Sequence, residues 1–218
     1  MTVQTLLDPT IPALSVGDAA GQALYRMAEY GVEHLPVVGA EQRLVGIISE
    51  SVLRAHPDPG APLATLAAGE PLSVAPDTHV FDAVHQMLTH GLSLMPVASA
   101  DGRYLGLVVR PALFGQLAHM LATEEPGAII VLEGQRRDFS LAQLAHLIEQ
   151  NDVRILSVST EDDPGAGLVR VTLKLNVTDS SRVRHLMEHH GYRIVALFDE
   201  ADADLQSRVD AFLRYLEV

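Results

Sequence analysis

Two segments of this sequence, GVEHLPVV at 31–38 and LVGIIS at 44–49, recur 60 positions later as GLSLMPVA at 91–98 and YLGLVV at 104–109. No gap is needed across this stretch. The identical pairs are Ala23 and Ala83, Met27 and Met87, Gly31 and Gly91, Pro36 and Pro96, Val37 and Val97, Ala40 and Ala100, Arg43 and Arg103, Gly46 and Gly106, and Leu53 and Leu113. Because an internal repeat defines the architecture, we interpret residues 11–56 and 71–121 as two copies of one unit.

Each copy has the same predicted elements. Apolar residues at three- and four-residue spacing indicate a helix that ends at Gly31 in one copy and at Gly91 in the other. The two apolar segments that follow each glycine are separated by a polar turn, which predicts two strands joined as a hairpin. A second helix is predicted to start near Ser49 and near Pro111.

Each copy begins with a short strand, at Ala13–Val16 and at Leu72–Ala75. These two strands align only after a slip of about two residues relative to the 60-residue shift. The order strand–helix–strand–strand–helix is therefore predicted twice. Since a unit of about 50 residues cannot bury such a sheet alone, we expect the two copies to pack as a pseudo-two-fold pair.

A different pattern follows the charged segment Thr123–Gly127. Residue spacing there predicts strand–helix–strand–strand–helix–strand, the ferredoxin-like βαββαβ order, and then a terminal helix over Asp202–Tyr215. We therefore expect an α/β (α+β) protein with domains at 1–60, 61–122 and 127–218. Because helices cover only one face of the last sheet, its other face is expected to pair with a second subunit in a homodimer.

Composition narrows the classes of function. The 218 residues include 15 Lys and Arg against 28 Asp and Glu, a net charge of −13, which argues against nucleic acid or an anionic membrane as a partner. The absence of Cys excludes a disulfide scaffold and a cysteine nucleophile. No apolar run reaches the roughly 18 residues of a membrane span, and Met1–Leu7 lacks the layout of a signal peptide, so a cytoplasmic location is expected.

The doubled motifs at 31–49 and 91–109 resemble a CBS-domain pair over roughly Met1–Leu121. The segment Gly127–Asp199 resembles an ACT-like domain by the order of its elements. The combination is similar to the acetoin-utilisation accessory proteins and other stand-alone bacterial CBS proteins. This resemblance implies a non-enzymatic, regulatory protein that senses an adenosine nucleotide or another small metabolite in the cleft between the repeats. The candidate ligands are AMP, ADP, ATP and S-adenosylmethionine.

The resemblance also implies a binding motif in which a Ser or Thr, and an Asp three residues later, follow the last strand of each repeat. Ser49 is present but Val52 takes the Asp position, and Val109 and Ala112 replace both groups in the second repeat. Two charge-assisted hydrogen bonds of about 1.5 kcal/mol each are absent, which weakens binding in the usual geometry. The candidate binding residues are His34, Leu35, Pro36, Gly46, Ser49, Val52, Met95, Pro96, Gly106 and Arg110, with Arg54 and Arg110 as candidates to meet a phosphate.

The sequence leaves alternatives open. Ser49 also suits a helix N-cap, and a pair that has lost its ligand suits a dimerisation scaffold for a client protein. The segment around Gly134 lacks the Pro-Gly turn of amino-acid-binding ACT domains. No metal site is expected, because His185 and His189 have no third ligand nearby. A small-nucleotide hydrolase is the third hypothesis, but no catalytic residue is assigned since no nucleophile elbow or phosphate-binding loop is present.

Overall fold

A computed structural model describes residues 1–67, 71–163, 165 and 167–199 of the chain. The chain divides into two compact units, Met1–Gln116 and Leu117–Val218. The first unit contains both copies of the repeat, and the second contains the ferredoxin-like segment. The terminal helix predicted over Asp202–Tyr215 lies outside the described residues. None of the helices within the described ranges has both the length and the hydrophobicity needed to cross a membrane.

The first repeat has the predicted order of elements. They are β1 (Leu14–Ser15), α1 (Ala20–Tyr30), β2 (His34–Val38), β3 (Leu44–Ser49) and α2 (Glu50–Ala55). Strand β2 lies between a parallel β1 and an antiparallel β3. The helix α1 ends at Gly31, whose φ of 64° is in the left-handed region that glycine adopts without a steric cost.

The second repeat repeats this arrangement with one shortened element. It consists of α3 (Val80–Thr89), β4 (Leu94–Ala98), β5 (Tyr104–Val109) and α4 (Arg110–Met120). The prediction of a strand over Leu72–Ala75 was wrong in extent, because only an isolated parallel bridge between Val74 and Val97 forms there. Pro71 and Pro76 flank the segment, and proline has no N–H to extend a ladder.

The repeats correspond without the two-residue slip that the sequence suggested. Leu14 pairs with Val37 in β2, and Val74 pairs with Val97 in β4, so the equivalent residue of Leu14 is 60 positions further along. The slip was inferred from the matching letters Leu-Ser-Val. Backbone pairing, rather than side-chain identity, fixes the register here.

The two repeats share their cores, as a pseudo-two-fold pair requires. The core of the first repeat includes Leu94 and Leu107 from the second, and Ile47 of the first repeat packs on the core of the second. Val3 at the start of the chain is fully buried in the core of the second repeat. The N-terminal residues therefore complete the repeat that lies later in the sequence.

The second unit has the ferredoxin-like fold that the sequence predicts. It consists of β6 (Ile129–Gly134), α5 (Leu141–Glu149), β7 (Ile155–Asp163), β8 (Leu168–Leu175), α6 (Ser181–His189) and β9 (Arg193–Phe198). The sheet order is β7-β8-β6-β9 and every pairing is antiparallel. Leu144 and Ile148 of α5 and Val183 and Met187 of α6 pack on one face of this sheet.

Candidate functional site

Two clefts open where the strands of each hairpin end and the next helix begins. The larger, called here the first cleft, has a volume of about 500 Å³. Residues of both repeats and of the N-terminal segment line it: Asp8, Thr10, Ile11, Tyr30, Gly31, Val32, Glu33, Ser93, Val109, Arg110 and Pro111. A volume of this size lies within the range of small-molecule sites in proteins.

The second cleft is smaller, about 370 Å³, and occupies the equivalent position at the end of the first hairpin. It is lined by Glu33, His34, Ser49, Glu50, Ser51 and Arg54. The Arg54 Nε donates to Glu50 Oε1 at 2.7 Å, so this guanidinium is already paired with a carboxylate of the same helix. Glu33 lines both clefts, which places it on the wall between them.

A hydrogen-bonded seam joins the two repeats along this wall. The Ser93 backbone N–H donates to His34 Nδ1 at 3.3 Å, and the Ser93 hydroxyl lies 3.1 Å from the same nitrogen. Arg110 Nε donates to the Leu92 carbonyl at 2.9 Å, which ties the start of α4 to the start of β4. Since His34 lines one cleft and Ser93 lines the other, a movement at this seam would reach both clefts.

Burial and two neighbouring charges shift the pKa of His34 in this seam. Burial is the largest effect and lowers the pKa of the imidazole below its usual value. The Glu33 carboxylate raises this pKa and the Arg110 guanidinium lowers it. A neutral imidazole leaves Nδ1 free to accept the Ser93 N–H, so the lowered pKa and the hydrogen bond agree.

The carboxylate of Asp8 lies at the first cleft. Its Oδ1 accepts from the Thr10 hydroxyl at 2.5 Å and from the Thr10 N–H at 2.7 Å, and its own N–H donates to the Leu107 carbonyl at 2.8 Å. These Thr10 bonds, the side-chain one foremost, lower the pKa of Asp8, so the carboxylate is ionised. A fixed carboxylate in a cleft can accept hydrogen bonds from ligand hydroxyl groups.

The motif residues of the first repeat have a structural role in α2. Ser49 is the N-cap of this helix, and its hydroxyl accepts from the Val52 N–H at 3.3 Å. The Ser51 hydroxyl lies 2.9 Å from that of Ser49. Val52, in the Asp position of the motif, is 46% exposed and offers no polar atom to a ligand.

The two motif glycines allow other segments of the chain to cross the hairpins. A Cβ on Gly106, whose φ is 150°, would lie 3.1 Å from Leu7 Cδ2. A Cβ on Gly46 would lie 3.9 Å from the Cβ of Ala67. Leu7 and Ala67 are also 60 residues apart, so both repeats use glycine at the same crossing.

The other predicted site residues lie behind the clefts. Leu35 and Met95 are fully buried, each in the core of its own repeat, and Pro36 and Pro96 are buried beside them. Only their backbones are available near a ligand, and binding by these residues stays a prediction. Of the predicted residues, Arg110 lines the first cleft, and His34 and Ser49 line the second.

Sequence reasoning missed the acidic and hydroxyl groups of the first cleft. Asp8, Thr10, Glu33 and Ser93 line it, but none of them was a candidate. The spacing Asp8-x-Thr10 is typical of a turn in which the carboxylate bonds a backbone N–H two residues on, and this signal was available. Glu33 and Ser93 occupy equivalent positions in the two repeats. Because their side chains differ, a search for identical residues does not find them.

Comparison with known proteins agrees with this geometry. Residues 3–56 and 65–118 each match the family model of the CBS domain. A CBS domain pair/ACT domain protein of Thermotoga maritima has 19% identity and a TM-score of 0.51, over 56% of this chain and 99% of that one. A putative acetoin utilization protein of Vibrio cholerae has 20% identity and a TM-score of 0.50, over 57% of this chain and 95% of that one.

Curated relatives share only part of their length with this chain. The A-adding tRNA nucleotidyltransferase of Aquifex aeolicus (strain VF5) is 33% identical over 92 residues, which are 40% of this chain and 11% of that protein. The chain spans between 11% and 58% of the length of the curated relatives it matches.

Proposed function

Since residues 3–56 and 65–118 are a tandem pair of CBS domains, we propose that this protein is a non-enzymatic regulatory module that senses a small ligand in its first cleft. CBS pairs are in general regulatory and ligand-binding. The observation that carries the proposal is the composition of this cleft, about 500 Å³ lined by hydrogen-bonding groups from both repeats. A ligand there would contact both walls and so favour one angle between the repeats.

The chemistry of the first cleft favours an adenosine ligand with little negative charge. The Asp8 carboxylate would accept the ribose hydroxyls, in place of the motif carboxylate that is missing at Ala112. Arg110 keeps its terminal nitrogens for one phosphate, because only its Nε is bound to Leu92. With Asp8 and Glu33 also in the cleft, we expect AMP and S-adenosylmethionine to bind more tightly than ADP or ATP.

Isothermal titration of the full-length protein tests this order. We expect AMP to bind at least about tenfold more tightly than ATP, because each added phosphate meets two carboxylates and one guanidinium. Asp8→Asn should weaken both S-adenosylmethionine and AMP, and Arg110→Gln should weaken AMP more than S-adenosylmethionine, because a phosphate carries more negative charge than a carboxylate. Arg54→Gln is the matched control in the second cleft, where Arg54 is paired with Glu50. Absence of heat with all four ligands would refute the sensor.

We assign the second unit to the ACT-like domains and propose that it forms a homodimer. Its sheet has a face opposite α5 and α6 that carries Ile129 and Val131 of β6 and a 60% exposed Phe198 of β9. On the same face Glu133 accepts from Arg170 Nε at 3.0 Å and lies 3.4 Å from Arg193 Nη1. Apolar residues of β6 and β9, beside an ion group of one carboxylate and two guanidiniums, suit contact with a second copy of the same face.

Light scattering after size exclusion tests the homodimer. The full-length protein should have twice its chain mass of 23.5 kDa. Phe198→Ser should shift it toward the monomer, whereas Phe81→Ser, a change of another exposed phenylalanine that is 55% exposed in the first unit, should not. Equal masses for both variants would contradict the assignment of this face.

A second candidate function is a ligand-free scaffold for a client protein. It is favoured by one observation, the apolar residues at the motif positions Val52 and Ala112. If this function is correct, a partner captured from a native extract should stay bound whether AMP or S-adenosylmethionine is present or absent, and the titration above should give no heat.

A further inference from the structure

Arginine is the only charged residue that recurs at the same position of both repeats. Arg43 and Arg103 are 60 residues apart, among nine identical pairs of which the other eight are uncharged. The uncharged pairs include core residues such as Met27 and Met87, which are explained by packing. The clefts described above do not use Arg43 or Arg103, so this pair requires its own explanation.

The fold brings the two arginines directly opposite each other. Arg43 and Arg103 form an isolated antiparallel bridge between the turns of the two hairpins. The Leu44 N–H donates to the Gly102 carbonyl at 3.0 Å and holds these turns together. Opposed residues of an antiparallel pair project to the same side, and like charges in this arrangement destabilise the pairing. The repeated arginine therefore has an electrostatic cost in the free protein.

Within the described residues, neither guanidinium forms a close ion pair, although Asp101 attracts Arg43 from a greater distance. Other arginines of the chain do, such as Arg26 with Asp18 at 3.5 Å and Arg170 with Glu133 at 3.0 Å. The two unpaired guanidiniums line a depression of about 410 Å³ together with three neighbours, Glu41, Gln42 and Asp101. The depression is large enough for a small molecule.

Two carboxylates lie beside this depression, and a hydrogen bond holds that of Asp101 on its own turn. The Ser99 hydroxyl donates to Asp101 Oδ1 at 2.5 Å, and this bond, followed by smaller effects that include Arg43, lowers the pKa of Asp101. Glu41 and Gln42 have φ of 56° and 58°, a left-handed conformation that is costly for residues with a Cβ. The strained turn fixes Arg43 at its end, opposite Arg103.

We propose that the Arg43–Arg103 pair binds the oxyanion group of a small molecule, a carboxylate or a phosphate, between its two guanidiniums. Guanidinium groups bind both anions through paired, charge-assisted hydrogen bonds. An anion bound between the two guanidiniums would attract both of them and so offset their mutual repulsion. Both exposed carboxylates nearby reduce the affinity, and this effect is measurable by substitution.

This site is separate from the proposed sensor clefts. The second cleft lies at the first residue of β2 and the last of β3, and the first cleft includes the last residue of β5, whereas Arg43 and Arg103 lie just before the first residues of β3 and β5. The five residues of β2 span about 16 Å at about 3.3 Å each. The two proposals can therefore fail independently, and Arg110→Gln should leave oxyanion binding at the arginine pair unchanged.

Titration of the full-length protein with inorganic phosphate, and separately with acetate, at low ionic strength tests the site. We expect binding of at least one of them, and the tighter one identifies the source of the oxyanion. Arg43→Gln and Arg103→Gln should each weaken it about tenfold. Asp101→Asn should strengthen it about threefold, because a nearby negative charge is removed.

Arg137→Gln is the control, because it removes another exposed arginine, one that lies in the second unit. It should change the affinity less than twofold. Far-UV circular dichroism and thermal midpoints show that each variant is folded. The proposal is overturned if neither anion binds, if Arg137→Gln weakens binding as much as Arg43→Gln, or if Asp101→Asn gives no gain.

Discussion

Lowering the pH through the range in which histidine titrates should break the seam between the two repeats. His34 Nδ1 accepts the Ser93 N–H at 3.3 Å, and it can do so only while that nitrogen carries no proton. Two substitutions of His34 distinguish the effect of losing the hydrogen bond from the effect of protonating the imidazole. His34→Leu removes the acceptor, whereas His34→Asn keeps an oxygen near the place of Nδ1 and does not titrate.

The size of the effect follows from the partners of His34. A net intramolecular hydrogen bond is worth about 1 kcal/mol, and an unpaired, half-buried N–H of Ser93 adds about 1 kcal/mol to its loss. At neutral pH we therefore expect His34→Leu to destabilise the seam by about 2 kcal/mol, a factor of about 30 in local opening. His34→Asn should stay within about 0.5 kcal/mol of the wild type, since it retains an acceptor.

The direction of the pH dependence follows from the lowered pKa of His34. Its ordinary value is 6.5, and burial, opposed by Glu33 and aided by Arg110, depresses it in the folded protein. The unfolded state therefore binds more protons around that pH, and stability rises with pH. The contribution of His34 is complete above 6.5 and is lost as the pH falls through the lower, folded pKa.

Amide exchange of Ser93, followed by NMR on the full chain, measures this opening directly. After correction for the intrinsic rate, protection in the wild type should be constant above about pH 6.5 and decrease as the pH falls below it. Protection in His34→Asn should not decrease, and in His34→Leu it should be low throughout. An imidazole titration that gives His34 a pKa of 6.5 or higher would refute the reasoning, as would equal protection in all three proteins.

Three further changes test the packing of the chain. Gly106→Ala should lower the free energy of unfolding by about 2 kcal/mol, because its Cβ would lie 3.1 Å from Leu7 Cδ2 at a φ of 150°. Gly46→Ala, whose Cβ would have its nearest atom at 3.9 Å, should lower it by less than about 1 kcal/mol. Thermal midpoints compare the two variants. Gln42→Gly should stabilise the first unit by about 0.5 kcal/mol and so raise its thermal midpoint, since relief of the left-handed strain exceeds the entropy cost of the new glycine. Leu132→Ala, in the core of the second unit, should cost about 3 kcal/mol in urea unfolding and leave ligand heats in the first unit unchanged.

Much of the fold could be predicted from the sequence because local signals and global packing agree. Apolar spacing and the two helix-ending glycines predicted α1 and α3, whose C-terminal glycines have φ of 64° and 63°. The ferredoxin-like order was predicted from alternation along β8, where Val171, Leu173 and Leu175 are buried. The strand that begins the second repeat is shorter than predicted, because the flanking prolines interrupt backbone hydrogen bonding but leave the apolar pattern of the sequence unchanged.

The candidate site was less predictable because its residues come from parts of the chain that look unrelated. Asp8 reaches the first cleft only because residues 3–7 pack on the second repeat. A motif search also assigns a binding role to Gly46 and Gly106, whereas the structure shows that other segments of the chain pass close to these two glycines. Tertiary crossings of this kind leave no local pattern in a sequence.

The crossings form a reciprocal exchange between the repeats. The Val3 N–H donates to the Thr78 carbonyl, and the Leu63 N–H donates to the Asp18 carbonyl, both at 3.0 Å. The donors are 60 residues apart and so are the acceptors, which means that the segment before each repeat docks on the other one. Neither repeat can change its angle to the other repeat without moving the segment of chain that leads into that other repeat.

This exchange explains why the first cleft suits a sensor. The chain leaves the second repeat after Leu7, passes Asp8 and Thr10 along the cleft, and enters the first repeat at β1. A ligand that draws Asp8 toward Arg110 on the far wall therefore pulls on the connection between the repeats themselves. The seam at His34 and Ser93 also joins the two repeats, so in the proposed sensor the occupancy of the first cleft and the strength of the seam would act as two opposing controls of the angle between the repeats.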